Sequence, residues 1–294
     1  MYLAIEWTSA AFHAWKLSGD GDVTAEYASA RGVNSIANGA FEEALREQVT
    51  SLLDGVDTIL LSGMITSRTG WVESPFAMVP ASPSDLAEKA VYRQMEGLPR
   101  LCFLPGIARK EPVPDVMRGE ELAILGIEGP IPPLVVLPGM HGKWVRTNGA
   151  EITDVSTFMS GEVLNLLRKD SLVAKLIPAT YEPRPEAFAR GVAFAADRSA
   201  LSGGVLQRIF SARSLVLFGQ LAPEDIADYL EGLLLGSEIA EALEGHEKPD
   251  AIPILGESRI AGRYREALGL LGIESPCIVS SAAQGFSRVL PHLR

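Results

Sequence analysis

The chain has 294 residues, 47% hydrophobic and 21% charged, which describes a globular protein with a sizeable core and excludes disordered and fibrous classes. Its formal net charge of -11 argues against non-specific nucleic-acid binding, which rests on Lys and Arg at phosphates, and any anion must be held by a local basic cluster against the overall field. Cys102 and Cys277 make no metal-type spacing, no apolar run nears the ~20 residues of a membrane span, and MYLAIEW has no basic segment before it, so a cytoplasmic, non-membrane protein with buried free thiols is expected.

In chain order, residues 2–7 read as a buried strand, TSA as a turn, FHAWKL as a second strand and VTAEYAS as a third, with GDGD at 19–22 as the hairpin between the last two. FEEALREQVTSLL reads as a helix and DTILLSGM as a short buried strand. The same order returns at 134–158: LVVLPGM, HGKWVR, a TNGA hairpin and EITDVSTFM, then a helix in GEVLNLLRKDSL. This repeat rests on element order more than on identities, and chance likeness of two meanders is the competing reading.

Beyond it the chain is mainly helical. PEDIADYLEGLLLGSEIAEAL, residues 223–243, has an acidic first turn and apolar positions at helical spacing. Its stripe is equally compatible with internal packing and with a second copy, so a homodimer stays open. AIPILGES is a strand meeting a turn, RIAGRYREALGLLG a helix closed by Gly272, and CIVSS and AAQGFSRVL a last strand and helix. The expected architecture is α/β, with two lobes across a central cleft and a boundary near residue 110, giving 1–110 and 111–294. P-loop, GxGxxG, HExxH, CxxC and GxSxG patterns are all absent, which makes P-loop NTPase, metalloprotease and serine hydrolase readings improbable.

MRGEE (117–121), LPGMHGKWV (137–145), FMSGE (158–162) and LLLGSEIA (233–240), with SGMITSRTGW (62–71) and ILGESRIAGRYREAL (254–268), resemble the 2-dehydro-3-deoxygalactonokinase family over essentially the whole chain. The resemblance implies a two-lobed fold of the actin, hexokinase and Hsp70 type (ribonuclease H-like), with the duplicated meander noted above. It also implies MgATP-dependent phosphorylation of a six-carbon 2-keto-3-deoxy sugar acid on its terminal hydroxyl, in galactonate catabolism. In such folds the two strand turns hold ATP phosphates from opposite lobes, and catalysis is mostly placement and charge stabilisation.

The turns depart from the family pattern. The usual D-W-G-S-T-N-x-R is here Glu6, Trp7, Thr8, Ser9, Ala10, Ala11, Phe12, His13, and the usual P-G-T-H is Pro138, Gly139, Met140, His141. Three readings follow: a kinase with a rebuilt nucleotide grip, a sugar-acid-binding or regulatory protein that has lost turnover, and a kinase for a related acid such as 2-keto-3-deoxygluconate. The first is favoured.

By this resemblance Arg118 binds the substrate carboxylate through its guanidinium fork, and Glu121, Trp71, Arg68 and His141 contact the sugar acid. Glu6, Ser9, Gly139, Gly142, Gly256 and Ser258 contact the nucleotide. Asp154 and Lys143 are the catalytic pair, Asp154 as general base and Lys143 reaching the phosphates, and Glu6 and Asp154 are the carboxylates for Mg²⁺. Each has an ordinary alternative: Arg118 paired with Glu120 or Glu121, Glu121 and Asp154 solvated, His141 and Lys143 on a strand edge, Trp71 in packing, and Ser258 as a helix N-cap.

Overall fold

A computed structural model describes residues 1–197 and 203–294, and packing divides them into two compact units. The first comprises Met1–Pro133, Val145–Val155 and Val279–Arg294; the second comprises Leu134–Trp144 and Ser156–Ile278.

The first unit begins with the expected meander, β1 (Tyr2–Trp7), β2 (Phe12–Leu17) and β3 (Val23–Ser29), followed by α1 (Phe41–Val49) and β4 (Thr58–Ser62). β1 is central and covered on both faces, which explains why its middle reads as an unbroken apolar run: Leu3, Ala4 and Ile5 are all fully buried. It pairs antiparallel with β2 and parallel with β4, and this register sets Glu6 between His13 and Ser62. Next come β5 (Ala77–Met78), α2 (Pro83–Glu88), β6 (Val91–Arg93), β7 (Arg100–Phe103), β8 (Ile107–Arg109), β9 (Asp115–Met117) and α3 (Glu120–Leu125). β5, β8 and β9 form a small separate sheet. With two or three residues each, they are too short to carry an alternation that sequence reading could detect.

The second copy of the meander is β10 (Leu134–Leu137), β11 (Gly142–Thr147) and β12 (Ile152–Phe158), followed by α4 (Ser160–Asp170). Val145–Val155, which holds the end of β11 and the start of β12, packs with the first unit, and the second unit continues with α5 (Pro185–Ala196), α6 (Val205–Leu217), α7 (Ile226–Ala242), β13 (Ile254–Leu255), α8 (Arg259–Leu270) and β14 (Cys277–Ile278). The last helix, α9 (Ala282–Val289), belongs to the first unit. It lies close against α3, since a Cβ on Gly285 would fall 2.0 Å from the Leu122 carbonyl oxygen. The division expected at residue 110 is a cut along the chain, whereas packing keeps residues 111–133 in the first unit and also gives it Val145–Val155, parts of β11 and β12, and the C-terminal helix.

The duplication is explicit in strand order. The large sheets run β3-β2-β1-β4-β7-β6 and β12-β11-β10-β13-β14. In each, the meander strands stand third, second, first, and two parallel strands follow: β4 and β7 in one sheet, β13 and β14 in the other. This is the α/β architecture with a duplicated meander that the sequence implied. α7 is buried on nearly all sides within its own unit, so its apolar stripe is internal. Cys102 is buried, with a thiol pushed up to about 12 chiefly by desolvation, but Cys277 is only partly buried, contrary to expectation.

Candidate functional site

In the first unit the chemistry gathers where β1 and β4 end. Ser62, Gly63 and the MRGEE segment at the start of α3 meet Glu6 there. Gly63 has φ 90° and Gly119 φ 110°, values that favour glycine. A Cβ on Gly63 would lie 2.8 Å from the Trp7 carbonyl oxygen, and one on Gly119 would lie 3.2 Å from the Gly63 Cα and 3.9 Å from Glu6 Oε1. Bare backbone thus forms a platform beside the Glu6 carboxylate. Burial, and secondarily the charge of Glu120, pushes Glu6 up to about 7.

Glu121, expected at the sugar hydroxyls, is fully buried, and both its oxygens accept from the Gly119 N–H at 2.9 and 2.8 Å. Ser62 Oγ donates to it weakly at 3.4 Å. Burial and then Glu120 raise it to about 8. Glu120 accepts from the Arg118 N–H at 2.8 Å. The two carboxylates therefore brace the backbone of Arg118 and Gly119 from behind.

The Arg118 guanidinium does not pair with them directly. Its Nη1 donates to Thr66 O (2.6 Å), Thr66 Oγ1 (2.8 Å) and Ser74 Oγ (2.8 Å), its Nη2 donates to Ser74 O (3.1 Å), and the group lies over the Phe76 ring at 4.3 Å. No described residue accepts from its Nε–H. That leaves one edge of a fixed fork for a ligand carboxylate. Ser62, Thr66 and Ser74 were missed by sequence reading, although the first two lie within SGMITSRTGW; a hydroxyl that serves another side chain carries no periodic signal.

Trp71 packs edge-on against Phe103 with ring centroids 5.5 Å apart, partly buried against the core of this unit, and Arg68 is exposed nearby in sequence. Asp154, the expected general base, is bound by Arg109, Nη1 to Oδ1 at 2.9 Å, so it is half of an ion pair and not the solvated carboxylate of the alternative reading. Among the described residues no group of three or more His, Cys, Asp or Glu is arranged to hold a metal ion. Mg²⁺ needs less when phosphates accompany it, often one or two carboxylates, and Glu6, half-buried and without a cationic partner among the described residues, is a carboxylate of that kind.

In the second unit the turn between β10 and β11 leaves Gly139 partly exposed and Met140 and His141 exposed. α4 begins directly on it: Glu162 N–H donates to Met140 O at 3.1 Å, and His141 Nε2 lies 2.6 Å from Glu162 Oε2. His141 and Lys143 do not share an environment, because β11 begins only at Gly142. Lys143 is buried and donates to Thr157 Oγ1 at 2.8 Å. Gly142 has a packing reason to be glycine: a Cβ there would lie 2.4 Å from Tyr264 Oη and 2.9 Å from Glu238 Oε1.

Beyond β13, Gly256 (φ 77°) and Ser258 are exposed, and Ser258 Oγ accepts from Ala261 N at 3.1 Å as the N-cap of α8. The next residue, Arg259, lines a cavity of about 580 Å³ with Arg168, Ile177, Tyr181, Pro183, Ala227 and Arg263. Its floor is ionic: Arg263 pairs with the buried Asp228 and Glu231, and Arg168 and Arg259 reach Glu231 at 3.2 Å each. The walls are apolar or planar, as a heterocyclic base requires.

A family model described as 2-keto-3-deoxy-galactonokinase matches residues 6–289. The 2-dehydro-3-deoxygalactonokinase of Escherichia coli (strain K12) is 29% identical over 285 residues, 96% of this chain and 94% of that protein. A Rhizobium meliloti (strain 1021) protein named probable 2-dehydro-3-deoxygalactonokinase DgoK1 is 31% identical over 280 residues, 92% of this chain and 90% of that one. A crystal structure from Sinorhizobium meliloti, provisionally assigned the same activity, has a TM-score of 0.83 at 29% identity, covering 99% of this chain and 97% of its own.

Proposed function

The chain belongs to the 2-keto-3-deoxy-galactonokinase family, and from that premise we propose that it transfers the γ-phosphoryl group of ATP to the terminal hydroxyl of 2-keto-3-deoxygalactonate. The observation that carries the substrate side is the Arg118 fork. Four hydrogen bonds and a ring contact fix it, and its Nε edge meets no acceptor among the described residues. A sugar-acid carboxylate is a planar two-oxygen acceptor that suits such an edge. Binding there holds the far end of the substrate, so that its terminal hydroxyl is presented in a fixed orientation.

In the transfer the hydroxyl oxygen forms a bond to the γ-phosphorus, the bond from that phosphorus to the bridging oxygen breaks, ADP leaves with the electron pair, and the hydroxyl proton passes to a carboxylate. Asp154 is the proposed acceptor, with Arg109 fixing one of its oxygens. Ser9 and the backbone of Gly139 are proposed as phosphate donors, and His141 as an exposed donor at the second turn. The cavity beside Gly256 and Ser258 is the proposed adenosine pocket, with the Tyr181 ring and the guanidinium planes as stacking surfaces. Glu6 is the residue proposed to hold Mg²⁺ through water, and the ion, when bound, neutralises charge on the phosphate oxygens.

Coupled measurement of ADP formation with MgATP and 2-keto-3-deoxygalactonate tests the reading. Arg118→Ala is expected to raise the sugar-acid KM ~10²-fold or more with little change in the ATP KM; equal losses for both substrates would remove Arg118 from its role. In the same assay Asp154→Asn should lower kcat by ~10² or more, and a loss of only a few-fold would return Asp154 to its ion pair with Arg109.

A further inference from the structure

The first turn shows why its sequence departs from the family pattern without falling apart. Between β1 and β2, Thr8 N–H donates to Ala11 O at 2.9 Å. The Thr8 hydroxyl then accepts as a bound anion would, Oγ1 taking the Ala11 N–H at 2.9 Å and more weakly the Ala10 N–H at 3.4 Å, and, unlike an anion, it also donates to Ala11 O at 3.2 Å. Two consecutive amides aimed at one oxygen form an anion-binding concavity, here filled by the protein's own side chain.

The back of the turn is sealed as well. Val33 N–H donates to Thr8 O at 2.9 Å, and Asn34 N–H to Ser9 O at 3.1 Å. Gly32 presses so close that a Cβ there would lie 2.4 Å from the Ala10 N, Cα and C, and Trp7 Nε1 donates to Arg31 O at 3.0 Å. The turn cannot open by moving backbone without breaking these contacts. Rotation of one side chain opens it. Ser9 is different: no described residue accepts from its N–H or engages its hydroxyl, so it alone presents donors without any rearrangement.

We propose that Thr8 Oγ1 occupies the position of an ATP phosphate oxygen in the first turn, so that Thr8 must rotate away from the Ala10 and Ala11 amides for the nucleotide to engage them. Thr8 is thereby the residue that sets ATP affinity. This rests on the reading of the first turn as a phosphate turn, which the family membership supports. The freed amides would bind phosphate in ground and transition states alike, so the effect belongs in KM for ATP and not in kcat.

The test is steady-state kinetics with MgATP and 2-keto-3-deoxygalactonate on Thr8→Gly, Thr8→Val, Thr8→Ser and Ser9→Ala, each checked for native circular dichroism. Thr8→Gly and Thr8→Val, which remove the hydroxyl by different routes, should lower the ATP KM about five- to tenfold. Their kcat should stay within about twofold of wild type and their sugar-acid KM should be unchanged. Thr8→Ser, which keeps the hydroxyl, should behave as wild type. An unchanged or raised ATP KM in both hydroxyl-free variants overturns the proposal. Ser9→Ala tells the two possible failures apart. If it raises the ATP KM while the Thr8 variants do nothing, the turn meets phosphate and only the role of Thr8 falls. If none of the four variants moves the ATP KM, the phosphate-turn reading fails and the proposal falls with it.

Discussion

Glu6 concentrates the tension of the first unit in a single carboxyl group. Its ordinary value is 4.5 and the fold raises it to about 7, chiefly through desolvation. An acid raised on folding binds its proton more tightly in the native state, so its contribution to stability is complete below about pH 4.5 and is lost as pH rises to about 7. Glu6→Gln should therefore melt at a higher temperature than wild type at pH 8, by on the order of 2–3 kcal/mol of unfolding free energy at most, and the two should converge at pH 4.5. Thermal melts at the two pH values check this, and a variant no more stable than wild type at pH 8 would contradict the burial cost. Little of this was legible beforehand. The sequence marked Glu6 and Arg118 as chemically active types, but Thr66 and Ser74 come to Arg118 through three-dimensional packing, and the ion pair of Asp154 with Arg109 joins strands 45 residues apart.

Among the elements, β11, α7 and α8 of the second unit are joined by one buried acid. Glu238 Oε1 accepts from Trp144 Nε1 at 2.8 Å and from Tyr264 Oη at 2.7 Å, while its Oε2 is buried without a hydrogen bond. Burial raises this carboxyl above its usual range, and the Tyr264 hydroxyl is raised as well, by desolvation and by Glu238 itself. Glu238→Gln should accordingly be tolerated, since it keeps the acceptor for both donors without a buried charge. Glu238→Ala, which strands two buried donors, should cost about 2–4 kcal/mol. Urea titrations of both variants decide this, and equal losses would mean that the shape of the side chain matters more than its acceptor. Helix and strand identities were largely readable at this scale, because β1 and α7 carry long apolar signals. What could not be read was whether the α7 stripe faced its own chain, since periodicity records that a face is covered and not by what. Three glycines supply the answer: a Cβ on Gly191 would lie 2.2 Å from the Tyr229 carbonyl oxygen, one on Gly232 would lie 2.1 Å from the Phe188 carbonyl oxygen, and one on Gly236 would lie 2.7 Å from the Ala195 Cβ, so α5 and α7 touch backbone to backbone.

Across the whole molecule, the repeat visible in the order of strand types became a repeat of sheet topology, whereas the grouping of the chain into units could not follow from linear order. α9 places Ala283, Phe286 and Val289 in fully or nearly fully buried positions, and Ser287 Oγ donates to Gly21 O at 2.6 Å. Removing residues 279–294 should lower the melting temperature of the first unit by ~10 °C or more, or leave it unable to fold. A truncated protein with the wild-type melting temperature would show that α9 is dispensable. The same helix sets a timetable for biosynthesis. The ribosome makes residues of the first unit before, within and after those of the second, so Met1–Pro133 must wait for a segment made much later. The second unit, nearly contiguous from Ser156 to Ile278, is available earlier as a complete set, and a nascent chain stalled before residue 279 would expose the surface reserved for α9 to chaperones.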